Sequence, residues 1–374
     1  MDAPIPFNRP HRTGREVALV TEALRGDHWR GDGPFTQRAS ALISAELAGA
    51  PVLLTTSCTH ALELSALLLA CRAGDEIIVP SFTFVSTASA FALRGATLIF
   101  ADIDDRTLCL DPADVARKVT ARTKAIVAVH YAGVACDLDA LTALGVPIVE
   151  DNAHGLFGRW RGRPLGSVGA LATQSFHDTK NLGCGEGGAL VLNDRTLVER
   201  AEILREKGTN RSRFFRGQVD KYTWVDLGSS YLPADLLAAV LTAQLEGAAA
   251  IQRARHHVWA RYHAELAGWA AQHGVAQPHL PEGAEHSAHI YWLRLADLPT
   301  RTRLLAHLAG RGISATFHYQ PLHLSEVGRA LGGTEGACPV TERAADTLVR
   351  LPVYVDLTDA DLDRIVGAVA GFSP

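Results

Sequence analysis

Lysine is scarce in this chain. It occurs only at positions 118, 124, 180, 207 and 221, among 36 lysines and arginines. Arginine replaces it as a surface cation almost anywhere, but a guanidinium stays protonated and cannot form a Schiff base at neutral pH. Cysteine is thin as well: six residues, at 58, 71, 109, 136, 184 and 338, are dispersed with no Cys-x-x-Cys. That spacing excludes a disulfide framework and a structural zinc site, and it reads as reduced thiols in a cytosolic protein. No run of five or six like charges occurs and the formal net charge is −4, so neither a nucleic-acid tail nor an acidic arm is indicated. No segment reaches the ~18 consecutive apolar residues of a membrane span. Met1-Asp2-Ala3-Pro4 does not begin a basic-then-apolar leader. A soluble, cytoplasmic protein is expected. The histidines show no His-Glu-x-x-His or similar spacing, so no metal is expected either.

What is present is an α/β pattern. A chain of 374 residues suggests two domains on a prior of roughly 100 to 200 residues each. The reading divides them into 1–235, a large domain with the N-terminal segment, and 236–374, a long linking helix and a small domain. Between residues 50 and 195 short apolar runs alternate with helical patterns, the signature of a mostly parallel sheet. The strands expected are 52–55, 76–80, 97–101, 125–130, 147–151, 173–176 and 189–193. Helices are expected over 59–71 and 194–208. Residues 233–272 read as one nearly unbroken helix with proline in its first turn. Beyond it, 289–296, 302–309, 314–319, 341–351 and 358–372 alternate between strand and helix.

Chemistry concentrates at the strand ends. Lys180 ends Ser175-Phe176-His177-Asp178-Thr179-Lys180 and precedes the glycine-rich run 183–188. Lys118 and Lys124 flank a turn, and Lys207 and Lys221 lie in polar sequence, so Lys180 is the best placed for covalent work. A lysine after an apolar strand, with an aspartate closing an earlier one, is how a protein holds pyridoxal phosphate as a Schiff base. Asp151 closes its strand at the edge where open parallel sheets bind ligands, and a carboxylate there keeps a pyridine nitrogen protonated. Glu150 competes for that role, but strand alternation puts it on the opposite face. Ser57, Cys58 and Thr59 join a strand to a helix, which suits either a phosphate or an ordinary helix cap. Cys58 by itself reads as a small packed residue. His154 suits a donor to the ring's phenolic oxygen or a structural role. One of Phe82 and Phe84 could stack on a cofactor, with core packing as the competing reading of each. The glycines precede a strand instead of opening a helix, so a dinucleotide loop is not indicated.

Taken together, Ile5-Pro6-Phe7-Asn8, Gly31-Asp32-Gly33-Pro34-Phe35-Thr36, Thr56-Ser57-Cys58-Thr59, Pro80 to Phe84, Glu150-Asp151-Asn152-Ala153-His154 and Ser175 to Lys180 resemble the DegT/DnrJ/EryC1/StrS family of sugar-nucleotide aminotransferases. The resemblance runs nearly end to end. It implies the aspartate-aminotransferase type of pyridoxal phosphate fold, fold type I, as a homodimer with shared active sites. It implies a Schiff base on Lys180, Asp151 on the pyridine nitrogen, His154 near the ring oxygen and Phe84 stacked on the ring. Ser57, the Cys58 and Thr59 backbone and Ser175 would hold the phosphate. Ser230, in Gly228-Ser229-Ser230, stands where many relatives send an asparagine from the neighbouring subunit. Asn152 stands where alanine is commoner, and the loop after Asn181 is one residue shorter than in close relatives.

Val129 to Cys136 and Arg205 to Trp224 resemble the branch of dTDP-4-amino-4,6-dideoxygalactose transaminases. That implies dTDP-4-keto-6-deoxyglucose as acceptor and L-glutamate as donor, with the amine axial or equatorial at C4. Arg213, Phe214, Arg216, Trp224, His318 and Tyr319 are candidates to line the sugar-nucleotide site, since cations suit a diphosphate and rings suit a sugar face or thymine. An aminotransferase acting at another sugar carbon is the alternative nearest to this reading, and three further rivals compete with it. Related sugar dehydratases carry histidine in place of Lys180. A nucleotide-sugar dehydrogenase or epimerase would need Gly-x-Gly-x-x-Gly after its first strand, where Thr55 to His60 stands. A non-catalytic sensor would have no need of Lys180 and Asp151.

Overall fold

The computed structural model describes residues 3–374; Met1 and Asp2 lie outside the described residues. Seven strands form the central sheet: β1 (Val52–Thr55), β2 (Glu76–Pro80), β3 (Thr97–Ala101), β4 (Thr123–Val129), β5 (Ile148–Asp151), β6 (Leu171–Ser175) and β7 (Gly188–Leu192). Their order is β1-β7-β6-β5-β4-β2-β3. Only β7 runs against the others, pairing antiparallel with β1 and β6. All seven expected strands are present, displaced by at most two residues at their ends.

Both faces of the sheet are covered, which is why its strands read as continuous apolar runs. Alternation divides them between layers. Ile77, Val79, Ala125, Val127, Leu190 and Leu192 face a cluster completed by the helix Cys58–Leu68 and by Phe91 and Leu204. Ile78, Ile126, Ala128 and Ile148 face the opposite way, onto Leu108, Val115, Leu138 and Leu141. Val52, Leu54, Ala189 and Val191 extend that second face under the helices Pro34–Glu46 and Asp235–Glu246.

Two expectations need correction. Residues 233–272 are three helices, Asp235–Glu246, Ala248–Glu265 and Ala267–His273, rather than one. The first break falls at Gly247, where a Cβ would stand 2.8 Å from the Thr13 methyl, so the N-terminal segment crosses there. A helical pattern does not reveal that crossing. The 194–208 helix also shortens, to a 3₁₀ turn at Arg195–Leu197 and a helix at Val198–Arg205.

The remaining cluster gathers Val258, Trp259, Tyr262, Leu304, Leu308, Leu362, Ile365 and Val369 with Ile5 from the N-terminus. It contains an antiparallel pair, β8 (Tyr291–Arg294) and β9 (Leu348–Leu351). The helix Pro339–Thr347 passes straight into β9, so 341–351 is half helix and half strand. Within 314–319 only Thr316 pairs, as a single bridge to Arg350. No helix among the described residues is long and apolar enough to cross a membrane.

Two buried polar networks fix this framework. The Oγ of Ser81 lies 2.5 Å from His323 Nδ1, and His323 Nε2 lies 2.9 Å from Glu342 Oε1. The order resembles a nucleophile, base and acid, but Ser81 and His323 are fully buried, so the set pins the 321–324 segment to the end of β2. The second network centres on Glu150. Its carboxylate accepts from His130 Nε2 at 2.8 Å and from the backbone N–H groups of Gly166 (2.7 Å), Val168 (2.7 Å) and Gly169 (2.6 Å). Cys136 N–H donates to His130 Nδ1, which leaves the proton on Nε2 for Glu150.

Burial alone would raise the Glu150 pKa, but the hydrogen bonds from His130, Gly169 and Gly166 together hold it below the ordinary value. A depressed carboxyl pKa adds stability above the unfolded value of about 4.3, and that stability is lost as pH falls below it. Glu150→Gln turns an amide N–H toward these donors and should cost about 3 kcal/mol in denaturant unfolding at pH 7. The difference from the native chain should narrow as pH falls below about 4.3; an unchanged unfolding midpoint at pH 7 refutes the assignment.

Candidate active site

The carboxyl ends of the parallel strands open into a cavity of about 650 Å³. β1 delivers Ser57, Cys58 and Thr59 to its wall, the turn after β2 delivers Phe84, β5 delivers Asp151 and then His154, and β6 delivers Ser175 with Lys180 beyond it. Eight of the nine residues expected at the cofactor therefore line one cavity. Ser230, the ninth, lies elsewhere.

The helix Cys58–Leu68 starts at this wall. Ser57 caps it by accepting from His60 N–H at 3.2 Å. The first N–H groups of a helix have no intrahelical partner and favour an anion. Thr59 Oγ1 meets Ser86 Oγ at 2.8 Å, and Ser86 lines the same wall. Gly188 explains the glycine-rich run before β7: a Cβ there would stand 2.3 Å from the Ser57 carbonyl carbon and 2.4 Å from Cys58 N. Only glycine lets the strand pass against the helix start.

Asp151 is buried and aimed. Its Oδ2 accepts from Thr87 Oγ1 at 2.7 Å and its Oδ1 from Ala153 N–H at 3.2 Å. The turn after β6 places Lys180 through Lys180 N–H donating to the His177 carbonyl at 2.8 Å, while Cys184 N–H donates to Phe176 at 2.9 Å. Burial lowers the Lys180 pKa and Arg350 lowers it further, against Cys58 and Asp151, to about 8. Burial pushes the Cys58 thiol up, which favours the packed reading over a nucleophile.

His154 stacks on His289, with centroids 4.4 Å apart. Burial and the neighbouring Lys180, His318 and Arg350 hold its pKa well below the ordinary histidine range. Its Nδ1 is buried without a partner. His289 Nδ1 lies 2.8 Å from Asn181 Oδ1, and Asn181 Nδ2 donates to the Ser287 carbonyl at 2.7 Å.

Of the six residues expected at the sugar nucleotide, only His318 and Tyr319 line this cavity. Arg213 pairs with Glu199 and Arg216 with Glu202, Phe214 packs on Phe215 and Tyr222, and Trp224 is 69% exposed. Arg216 and Ser230 line a second cavity of about 980 Å³. Phe82 is core, packed edge-on against Tyr131 and Tyr319, so the accessible ring is Phe84, 60% exposed.

Sequence reading missed Thr87, His289 and Arg350 at the cavity wall. Arg350 had a signal: it is the one charged residue of the otherwise apolar Leu348-Val349-Arg350-Leu351 strand. Thr87 and His289 had none, being ordinary residues in a helix and a loop.

A lysine, an aspartate and a helix N-terminus at the edge of a mostly parallel sheet define a pyridoxal phosphate enzyme of fold type I. A buried imidazole nitrogen without a partner and a helix start set against Gly188 fit a ring and a phosphate. The DegT/DnrJ/EryC1/StrS aminotransferase family matches residues 10–370, and the chain belongs to it. It is similar to the aminotransferase TlmJ of Streptoalloteichus hindustanus, at 34% identity, 98% of each chain and a TM-score of 0.89. It is similar to the sugar aminotransferase CalS13 of Micromonospora echinospora, at 27% identity, 98% of this chain, 100% of that one and a TM-score of 0.88. Spr1654 of Streptococcus pneumoniae, solved in PMP and PLP forms, is 27% identical over 98% of each chain, with TM-scores of 0.91 and 0.90. The protein is a pyridoxal phosphate-dependent sugar aminotransferase.

The depressed lysine is directly testable. Competitive acylation of the cofactor-free protein should show Lys180 becoming reactive with a midpoint near pH 8, against about 10.4 for an ordinary lysine. Asp151 raises the Lys180 pKa, so Asp151→Asn should move the midpoint below 8. A Lys180 midpoint near 10.4 refutes this account of the site.

Proposed function

We propose that the protein transfers an amino group from L-glutamate to C4 of dTDP-4-keto-6-deoxy-D-glucose. The products are 2-oxoglutarate and a dTDP-4-amino-4,6-dideoxyhexose. The observation that carries the chemistry is Lys180 in one cavity with Asp151 and the helix start, where burial lowers its pKa to about 8. The likeness of residues 129–136 and 205–224 to the 4-aminotransferase branch supports the acceptor and the donor.

Bound pyridoxal phosphate supplies an electron sink that makes the amino acid's Cα–H acidic. Lys180 would hold it covalently, Asp151 would keep its ring nitrogen protonated, and Thr87 would orient that carboxylate. Ser57, Cys58, Thr59 and Ser175 would bind the phosphate, Phe84 would cover the ring and His154 would face its oxygen. Displaced from the cofactor, the Lys180 amine would take the proton from Cα of glutamate. In the second half it would deliver a proton to C4 of the sugar. Both roles need neutral and charged lysine in comparable amounts near neutral pH, as a pKa of about 8 allows.

A homodimer supports the reading of Ser230, Arg213, Phe214, Arg216 and Trp224. Phe215 (64% exposed), Trp224 (69%) and Leu227 (61%) are large apolar side chains left open within one stretch of sequence, of the kind a partner covers. That segment would then serve the partner's cavity.

Lys180→Ala should lose turnover while still binding some cofactor through Asp151 and the phosphate contacts; normal turnover by this variant sinks the role. Proton NMR of the product from dTDP-4-keto-6-deoxyglucose and glutamate should show a 4-amino sugar. A small H3–H4 coupling means an axial amine and the galacto product, and a large one the gluco product. No amine means the acceptor is wrong. Initial rates should be ping-pong.

A further inference from the structure

Nine side-chain nitrogen or oxygen atoms among the described residues are buried without a hydrogen-bond partner. Three of them, Asn152 Oδ1, His154 Nδ1 and Gln174 Nε2, belong to residues that line one small cavity beside Lys180. That cavity measures about 10 Å³, which is room for a single water. Asn152 stands one residue past Asp151, and Gln174 one past Thr173, the strand partner of Asp151, so alternation sends both amides to the face opposite Asp151. They lie together over Gly166, where a Cβ would stand 2.9 Å from Asn152 Nδ2 and 3.0 Å from Gln174 Nε2. Asn152 Nδ2 donates to the Leu165 carbonyl at 2.7 Å. That bond fixes the amide's orientation and leaves Oδ1 as an acceptor. Oδ1 sits beside Gly155, where a Cβ would stand 2.0 Å from it. Gly155 follows His154, whose ring lines both this cavity and the main one. Burial keeps His154 neutral, so one of its nitrogens carries a proton and the other accepts.

An unpaired buried polar group is costly, and three around one water-sized cavity point to a shared partner. We infer that one buried water there accepts from Gln174 Nε2 and donates to Asn152 Oδ1 and His154 Nδ1, so that His154 keeps its proton on Nε2 and turns it to the main cavity. The inference rests on the reading that His154 faces the cofactor's ring oxygen. A water has two hydrogens, and this arrangement gives each an acceptor. The opposite tautomer, with the proton on Nδ1, would leave one hydrogen of the water with no acceptor among the three side chains, and an orphaned buried donor is rarer than an underused lone pair. Contact with the cofactor falls to Nε2 because Nδ1 is sealed. The unpartnered Nδ1 that marks His154 as a ring awaiting partners is served from behind, and Nε2 is free to donate to an oxygen in front. Asn152 and Gln174 act through His154 and are positioning residues. This gives a purpose to an asparagine where alanine is commoner.

The water and the tautomer are read in the cofactor-free protein. Nitrogen-15 NMR of histidine-labelled protein, with the His154 signals identified by their loss in His154→Gln, should show a proton on Nε2 and a bare, hydrogen-bonded Nδ1. A high-resolution crystal structure should show one water within hydrogen-bond distance of all three atoms. Gln174→Met keeps the stem and removes the donor, and it should spread the His154 proton over both nitrogens. In the cofactor-loaded enzyme the same variant should raise the pH at which the bound cofactor's absorbance changes by about one unit, the scale of one hydrogen bond to a charged oxygen. The direction follows because a donor to the negative ring oxygen weakens that oxygen's hold on the neighbouring nitrogen's proton. A His154 proton on Nδ1 in the native protein, an empty position between the three atoms in the crystal, or an unchanged tautomer in Gln174→Met overturns the proposal. If the tautomer moves in Gln174→Met while the absorbance titration stays in place, the water site stands and the reading of His154 at the ring oxygen fails. If Gln174→Met does not fold, the NMR and the crystal structure of the native protein decide.

Discussion

The ligand-facing edge of this protein depends on where the Glu150 carboxylate is held. A carboxylate sealed at the end of a strand is tolerable only if it is fully hydrogen-bonded, and four donors meet it: His130 Nε2 and the N–H groups of Gly166, Val168 and Gly169. Those contacts tie the end of β5 to the loop that starts β6. Strand alternation then turns the next residue, Asp151, to the other face, where Thr87 and Ala153 fix both of its oxygens. Two adjacent acids thus have opposite fates. One is consumed by the framework and one is presented to the cavity.

The second constraint is charge. The cavity wall carries Lys180, Arg350, His154, His289 and His318 against Asp151, with Glu186 at the loop. Burial keeps all three of these histidines neutral, and in the same surroundings Lys180 loses its proton more readily than an exposed lysine. Arg350 alone keeps a full charge by its chemistry. A site so arranged is set for anions arriving from outside, as a cofactor phosphate is.

The large sheet was legible because most of its strands are buried on both faces and read as apolar runs between turn signals. Lys180, Asp151 and the Ser57 junction were legible because they sit at the ends of those runs, where alternation and topology say what a residue faces. Arg350 belongs to a strand that begins where a helix ends without a turn, and helical periodicity through Ala344 and Ala345 concealed the change at Leu348. The break at Gly247 was hidden for another reason. Its cause is Thr13, more than two hundred residues away, and no local pattern reports a crossing of that kind.

The placement of these parts separates two tasks. Groups suited to the cofactor come from the carboxyl edge of the central sheet, which is held rigidly by the Glu150 network and by the packing of Gly188 on Ser57 and Cys58. The groups on the opposite wall of the cavity, His318, Tyr319 and Arg350, come from the later part of the chain. They are joined to the sheet through the Ser81, His323 and Glu342 pin and the Tyr131 to His318 contact. A sugar aminotransferase must admit an amino donor and then a sugar at one cofactor, which needs the cofactor fixed while the opposite wall deals with each guest. A neutral His318 between Tyr131 and Arg350 suits that need, because it holds the guanidinium in place without adding a second charge to that wall.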